Sequence, residues 1–582
     1  HWVTEVVAFE PGREVFGSLE ANIRLNLLDP DIEPHRVALW DGTVDKVIIS
    51  REYLTDKASR IKIADDGESI DYELLPNSPL RRAYAEMLAT TDQAAKARMQ
   101  DDLRIRAVPG SIDVNIMTKL DRDTYRDGEK LPPEFADAMS ALRGFANSTV
   151  RGGLVLSAGM NRRLYNYLSQ FDDFLPDENG NLKKTIILKV SDFRSAMIQG
   201  RFLAKRGLWI SEYRIESGLN CGGHAFATKG QLLGVILEEF KANRKTLAAD
   251  LHKAYVKALA KTGRTVTGPG DIRITVQCGL STAAEDRLMR EHYDADGTGW
   301  GTPFLLVPEV VHVEQGMLAQ LAAAKDEDVV LSDGSPLGVP IWLLDNCKAE
   351  DARRRRIAEG APGSECPKGY LRSNTEFTDM PICLSSRAYV KRKLEHLSSE
   401  GLSQRQLASV TETILTRACV CHELSGGVTA IHNIRPSVTP LVCPGPNIAD
   451  FSRTASLDEM VGHIYGRESI MTRTDRPHTF LREIAIYTEY LRKQLGLFAL
   501  QLCGSTLQYL QEFKGNLLTG IRYYVKLARK GIDGLTETFA ADLDRLRREI
   551  EGIPLPAEAM PAALALPPER TEKAVMDTDG QS

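Results

Sequence analysis

A short stretch in the middle of the chain combines residue types that an active-site loop needs. Cys221, Gly222, Gly223 and His224 follow LWISEYRIESGLN, whose alternation of bulky and polar residues predicts a strand. Two glycines without Cβ atoms let the backbone approach a ligand closely. An imidazole beside them can accept or donate a proton near neutral pH. The stretch therefore predicts a loop in which His224 acts on a substrate; a turn with a capping histidine is the structural alternative.

Two further glycine turns come after predicted strands. The strand IRITVQ ends at Gln277 and leads into a turn at Gly279, and the segment DGTGWG leads into Gly301 and Thr302. Turns of this kind expose backbone N–H groups that suit a phosphate. Two of them on successive strands, about 22 residues apart, are typical of the phosphate site after the last strands of a TIM barrel.

The elements that would carry these turns alternate between apolar strands and amphipathic helices, which predicts an α/β fold with a parallel sheet covered by helices. A TIM-type (β/α)8 barrel is the expected closure, although fewer than eight strands are clear. The candidate strands are IDVNIM (112–117), GGLVLS (152–157), KTIILKV (184–190), LWISEYRI (208–215), IRITVQ (272–277) and a last one near DGTGWG (296–301).

Changes in composition and in the predicted pattern of strands and helices along the 582 residues indicate five parts. A small α+β domain covers 1–105, and the barrel covers 106–345. An irregular, cysteine-bearing region covers 346–455, and a mostly helical C-terminal region covers 456–553. The tail at 554–582 is rich in Ala, Pro and charge, a composition typical of disorder.

The order of the motifs resembles a known family. GGH, a strand ending in a glycine turn, and then ADGTGWGTPF are similar to the FMN-dependent nitronate monooxygenases and their enoyl-reductase relatives, over residues 110–310. The resemblance implies an FMN-dependent oxidoreductase acting on a small organic substrate, with His224 as general base or proton donor. Cys221 stands where the family has a small residue, and Cys278 where it has a glycine.

The resemblance also implies which residues contact the flavin. The two glycines before His224 would allow close approach, the strand IDVNIM would end near the isoalloxazine ring, and Lys189 would lie near its electron-rich edge. For Lys189, a core-edge lysine paired with an acid is the structural alternative. The candidate cofactor-binding residues are Asn115, Met117, Lys189, Gly222, Gly223, Gln277, Gly279, Gly301 and Thr302.

Most of the nine cysteines fall after the predicted barrel. Cys366, Cys383, Cys419, Cys421 and Cys443 lie in turn-like settings such as SECPKG and LVCPGPN. Four of these five could hold a [4Fe-4S] cluster that passes single electrons to a flavin. Zinc is the alternative metal, because His422 is adjacent to Cys421. Unliganded, reduced cysteines are the third possibility.

Composition bounds the partners. The formal charge of -6 gives no basic field for nucleic acid, and no run of about 18 apolar residues predicts a membrane span. Sparse cysteines are typical of a reduced, cytoplasmic protein. The expected partners are a small-molecule substrate, an electron-donor protein and a second copy of the chain. Two other functions stay open: an enzyme with Cys221 as nucleophile beside His224, and a non-catalytic barrel that binds a protein partner.

Overall fold

The structure is a computed structural model, and several candidate residues lie outside the part of the chain that it describes. Met117 and Cys221 are among them, as are most of the predicted N-terminal domain and tail. The described residues are 5–6, 48–50, 75–76, 78–106, 113–116, 121–126, 129–157, 159–220, 222–225, 229–266, 268, 270–311, 313–367, 369–424, 426, 438–473, 475–532, 535 and 537–556.

The strands of these residues form one large sheet and two hairpins. They are β1 Glu5–Val6, β2 Ile48–Ser50, β3 Asp113–Ile116, β4 Tyr125–Arg126, β5 Glu129–Lys130, β6 Gly152–Leu156, β7 Lys184–Val190, β8 Ile210–Glu216, β9 Arg273–Gln277, β10 Gly297–Thr298, β11 Val329–Ser332 and β12 Ile341–Leu344. In the large sheet β3, β6, β7, β8, β9 and β10 run parallel in that order. β2 lies antiparallel on the β3 edge, and β11 with β12 forms an antiparallel hairpin.

The six predicted strands and the parallel sheet are confirmed, with strand ends within a few residues of those expected. Closure into an eight-stranded barrel is not confirmed. Among the described strands six are parallel, and after β10 the chain forms the β11–β12 hairpin rather than another parallel strand. The alternation of strand and helix therefore identifies the sheet but not the hairpin that comes after its last strand.

The helices surround the sheet and continue beyond it. They are α1 Pro79–Ala89, α2 Gln93–Arg106, α3 Asp137–Ala146, α4 Arg162–Leu168, α5 Phe193–Ala204, α6 Leu233–Leu259, α7 Ala283–Arg287, α8 Gln315–Ala323, α9 Lys348–Ala358, α10 Arg387–Leu397, α11 Gln404–Thr416, α12 Val420–Glu423, α13 Leu457–Ile464, α14 Thr479–Ala499, α15 Leu507–Ala528 and α16 Glu537–Glu551. Local signals set several starts: Asp192, for example, accepts a hydrogen bond from the N–H of Ser195 and caps α5. None of the helices in the described part of the chain is long and apolar enough to span a membrane.

The two faces of the sheet differ in chemistry. Alternate residues such as Leu154 and Leu188 are fully buried in the main hydrophobic core, which the helices cover. The opposite face carries polar residues at the same spacing, since side chains alternate along a strand. On this polar face the buried Arg214 pairs with Glu212 at 2.9 Å and with Asp113 at 3.2 Å. The paired charges lie beneath the carboxyl ends of the strands.

The C-terminal helices hold the loop that comes after β8. The hydroxyl of Tyr487 on α14 accepts a hydrogen bond from the N–H of Gly218 at 3.1 Å. Glu483, also on α14, accepts from the N–H of Leu233 at 2.9 Å, where α6 begins. Because these contacts join positions more than 240 residues apart in sequence, the helical region and the sheet position this loop together.

Candidate functional site

The predicted glycine turns meet at the carboxyl edge of the sheet around a fourth segment, the 443–447 turn. The N–H of Gly445 donates to the Thr302 hydroxyl at 2.8 Å, after β10. The amide nitrogen of Asn447 donates to the carbonyl oxygen of Leu280 at 3.0 Å, after β9. One turn from the cysteine-bearing region thus connects the two loops that the sequence predicts to bind a phosphate.

The two glycines of the CGGH motif have different surroundings. Both have positive φ, 110° at Gly222 and 76° at Gly223, which disfavours any residue with a Cβ. A Cβ at Gly222 would overlap the carbonyl oxygen of Cys443, whereas no atom of the described residues lies within 4 Å of a Cβ at Gly223. Gly222 therefore accommodates the 443–447 turn, and Gly223 is the glycine that borders open space.

His224 is fixed by the β11–β12 hairpin. Its Nε2 lies 2.6 Å from the hydroxyl oxygen of Ser335, which is 1% exposed and also accepts from the N–H of Leu337 at 3.2 Å. The N–H of Trp342 donates to the carbonyl oxygen of Gly223 at 2.9 Å. The imidazole is thus held through a side-chain hydrogen bond and through the backbone next to it.

Backbone N–H groups at two of the turns are available to a ligand. Among the hydrogen bonds of the described residues, none uses the N–H of Gly279, Leu280 or Gly301. Gly279 and Leu280 are buried. A buried N–H without an acceptor costs about 1–3 kcal/mol, so an acceptor supplied by a ligand would stabilise this arrangement. The N–H groups of Gly279, Leu280 and Gly301 can donate to an anionic group such as a phosphate.

A buried network of charged side chains holds the turn after β9 in place. The Ser281 hydroxyl donates to Asp450 at 2.6 Å, and Arg482 pairs with the same carboxylate at 2.8 Å. Arg476 donates to Glu285 at 2.8 Å. Burial opposes ionisation of Glu285, yet Arg476 lowers the pKa of this carboxyl to about 2. The turn is therefore held by ionised groups that come largely from the C-terminal region.

The strand ends on the polar face carry the other candidate residues. Lys189 at the end of β7 pairs with Glu216 at the end of β8 at 2.7 Å, and both side chains are 15% exposed. Lys189 is thus paired with an acid, as the structural alternative predicts. Asn115 and Gln277 lie at the ends of β3 and β9 on the same face. A Cβ at Gly299 would overlap the side chain of Gln277, so that glycine makes room for it.

The structure does not support the predicted metal site. Within the described residues, no group of three or more His, Cys, Asp or Glu side chains is arranged to hold a metal ion. The thiol of Cys366 instead contacts that of Cys383, and the thiol of Cys419 contacts that of Cys421. Cys443 belongs to the turn at the sheet edge. Neither a [4Fe-4S] cluster nor zinc is supported, because no three of these side chains come together within the described part of the chain.

The two thiols of the Cys366–Cys383 pair differ in pKa. The hydrogen bond from Cys383 lowers the pKa of Cys366, and Arg372 lowers it further. The same hydrogen bond raises the pKa of Cys383. No disulfide joins any of the described cysteines. Cys366 therefore has more thiolate character than an ordinary cysteine.

Two residues of this edge carry no signal in the local sequence. Ser335 contacts His224 from 111 positions further along the chain, in a loop whose DGSPLG sequence predicts only a turn. Asn447 contacts Leu280 across 167 positions. The CPGPN sequence that contains Asn447 draws attention to its cysteine and not to its asparagine.

Comparisons with known proteins add little to these contacts. No protein-family model matches the chain, and no curated protein sequence matches it. The enoyl reductase domain of MlnA, from the macrolactin biosynthesis cluster of Bacillus amyloliquefaciens, is 13% identical to this chain. The match covers 56% of this chain and 77% of the MlnA domain, with a TM-score of 0.34. A mutant of FabK from Thermotoga maritima is 11% identical to this chain. The match covers 68% of this chain and 89% of the FabK chain, with a TM-score of 0.32. TM-scores this low do not establish a shared fold, so the function has to be inferred from contacts within the chain itself.

Proposed function

We propose that the chain is an FMN-dependent oxidoreductase that acts on a small organic substrate. The observation that carries the proposal is the set of N–H groups at Gly279, Leu280 and Gly301, which lack acceptors among the described residues at the edge where His224 also lies. A phosphate would accept from these donors. The resemblance of the three glycine motifs to the nitronate monooxygenase and enoyl-reductase family supports the same cofactor.

The residues around this edge have separate tasks in the proposed reaction. Bound FMN supplies hydride or electron transfer. His224 holds or moves the accompanying proton, and Ser335 fixes the ring through Nε2. Gly223 leaves room beside the imidazole, because nothing lies within 4 Å of a Cβ there. The Lys189–Glu216 pair keeps the end of the sheet close to neutral where a flavin ring would lie.

The cofactor is tested by identifying what the full-length chain binds. Protein reconstituted with a mixture of FMN, FAD and riboflavin is desalted and heat-denatured, and the released flavin is identified by chromatography and mass. We expect FMN as the main flavin, with a yellow holo-protein. A colourless protein that retains no flavin would contradict the proposal and would favour the cysteine-nucleophile or scaffold alternative.

The role of His224 is tested with the reconstituted protein. We expect His224→Ala to keep FMN and to lose about 10²–10⁴-fold in turnover with an alkyl nitronate or a short 2-enoyl thioester, the substrate classes that the resemblance implies. Ser335→Ala should lose about tenfold through misplacement of the ring, and Ser335→Thr should restore much of it. Wild-type turnover by His224→Ala would show that the histidine is only a loop residue.

A further inference from the structure

One buried side chain at the sheet edge has an acceptor atom without a donor. Asn447 is 1% exposed, and its amide nitrogen is used by the carbonyl oxygen of Leu280. Among the described residues, no donor lies within hydrogen-bond reach of its carbonyl oxygen Oδ1. Exchange of the two amide atoms would place an acceptor against an acceptor, so the orientation is fixed by Leu280. An amide oxygen buried in this way is costly unless something else donates to it.

The position of this oxygen relates it to the turns of the candidate site. Oδ1 lies 3.7 Å from the place that a Cβ at Gly279 would take, and Gly279 is one of the residues whose N–H has no acceptor. The unused acceptor therefore lies next to one of the glycine turns whose N–H groups have no acceptor among the described residues. A phosphate alone would satisfy the donors only, because its oxygens do not donate at neutral pH. A ligand that also carries a hydroxyl or N–H group would satisfy both.

We propose that Asn447, from the region after the sheet, is a ligand-binding residue whose Oδ1 accepts a hydrogen bond from a hydroxyl or N–H group of the ligand. This rests on the proposed function, in which the ligand is FMN, with hydroxyl groups next to its phosphate. The anionic end of the ligand uses the N–H groups of the turns, and its neutral part uses Asn447. The C-terminal region thereby becomes part of the binding site.

The test separates this contact from the structural hydrogen bond to Leu280. Riboflavin, which lacks the phosphate, and FMN are titrated into the apo full-length chain by fluorescence quenching. Asn447→Leu removes both amide functions at similar size, whereas Asn447→Asp keeps an acceptor oxygen but loses the donor to Leu280. Tyr389→Phe is the matched control, since it removes a hydrogen bond from a buried tyrosine to Glu376 in the cysteine-bearing region.

We expect Asn447→Leu to weaken riboflavin binding about 10-fold to 100-fold, because a buried donor of the ligand is left unpaired. Asn447→Asp and Tyr389→Phe should stay within about threefold of wild type for riboflavin. For FMN, the loss of affinity relative to wild type in Asn447→Asp should be larger than for riboflavin, because the new carboxylate repels the phosphate.

Three outcomes would overturn the inference. If Asn447→Leu binds riboflavin like the wild type, Oδ1 does not contact the ligand. If the Leu and Asp variants weaken binding equally, the residue acts only through Leu280. In both cases the wild type still binds FMN and the proposed function stands. If the wild-type chain binds neither flavin, the proposed function fails and the inference fails with it.

Discussion

The carboxyl edge of the sheet and the cysteine-bearing region behave in opposite ways. At the edge, turns from distant parts of the chain converge, so that Gly222, Gly279 and Thr302 all lie beside the 443–447 turn. In the cysteine-bearing region the described turns do not converge on a metal site. The difference has a topological cause: parallel strands must end at one edge, whereas turns in an irregular region have no such constraint.

The two regions nevertheless meet. The sequence predicts that the 443–447 turn supplies a thiolate ligand, but the turn contributes a backbone N–H and the amide of Asn447 to the sheet edge. A sequence motif chosen for one residue can thus matter for its neighbours. Variants can test where the two regions meet, how they are held together, and what the cysteines do instead of binding a metal.

The largest effect is expected where the turn packs on the CGGH motif. Gly222→Ala should destabilise the protein by about 3 kcal/mol or more, because φ is 110° and the new Cβ would overlap the Cys443 carbonyl oxygen. Gly223→Ala is the matched control and should cost only about 1–2 kcal/mol, from its φ of 76° in open space. Denaturant unfolding measures both; equal losses would mean that the turn does not pack on Gly222.

The next effect concerns the charges that join the sheet edge to the C-terminal region. The pKa of Glu285 is lowered from 4.5 to about 2, so its contribution to stability is complete above pH 4.5 and is lost as the pH falls through about 2. Glu285→Gln should therefore cost up to about 3 kcal/mol at pH 7, and the difference from wild type should shrink below pH 4.5. Denaturant unfolding at several pH values measures this.

A surface carboxyl provides the control for that experiment. Glu459 also has its pKa lowered to about 2, by Arg453 and by the N–H of Ser456, but its side chain is 36% exposed. Glu459→Gln should cause no comparable loss, because exposed ion pairs contribute little. Similar losses in the two variants would contradict the view that the buried network holds the sheet edge to the C-terminal region.

The smallest effect is expected among the cysteines. Cys383→Ala removes the hydrogen bond that lowers the pKa of Cys366, so the alkylation rate of Cys366 at pH 7 should fall about 3-fold to 10-fold. Peptide mapping by mass spectrometry measures the rate at each thiol. Pre-treatment with a chelator should leave the wild-type rates unchanged. A chelator-dependent rise at all five candidate cysteines would restore the metal site and remove the contrast between the regions.

The sequence predicts the elements of the sheet well and their closure less well. KTIILKV predicts a strand at 184–190 and β7 occupies those residues, because a continuous apolar run between turn residues is typical of a buried parallel strand. Barrel closure is inferred from chain length, a weaker criterion, and β11–β12 stands where further parallel strands are expected. The apolar residues of this hairpin, VVLS and IWLL, do not distinguish parallel from antiparallel pairing.

Part of the candidate site can be predicted from the sequence, because strand positions can be predicted. The glycine turns at Gly279 and Gly301 come directly after strands, so the topology places them at one edge. Ser335 and Asn447 depend on tertiary contacts across more than 100 residues, and nothing in their local sequence shows those contacts. The cysteines show the opposite error: their local sequence suggests metal ligands, but among the described residues their thiols meet only in pairs.

The central claim is that the N–H groups of the glycine turns bind a phosphate, and the ratio of the riboflavin and FMN dissociation constants tests it most directly. Gly301 has φ −87° and ψ −57°, which any residue can adopt, so Gly301→Leu should fold while its side chain covers the donors. Gly496→Leu, on α14 with no atom within 4 Å of its Cβ position, is the control.

We expect wild type and Gly496→Leu to bind FMN about 100-fold more tightly than riboflavin, because two or more charge-assisted hydrogen bonds distinguish the ligands. In Gly301→Leu this ratio should fall close to one. A wild-type ratio near one, or an undiminished ratio in Gly301→Leu, would contradict the claim that these turns hold the phosphate.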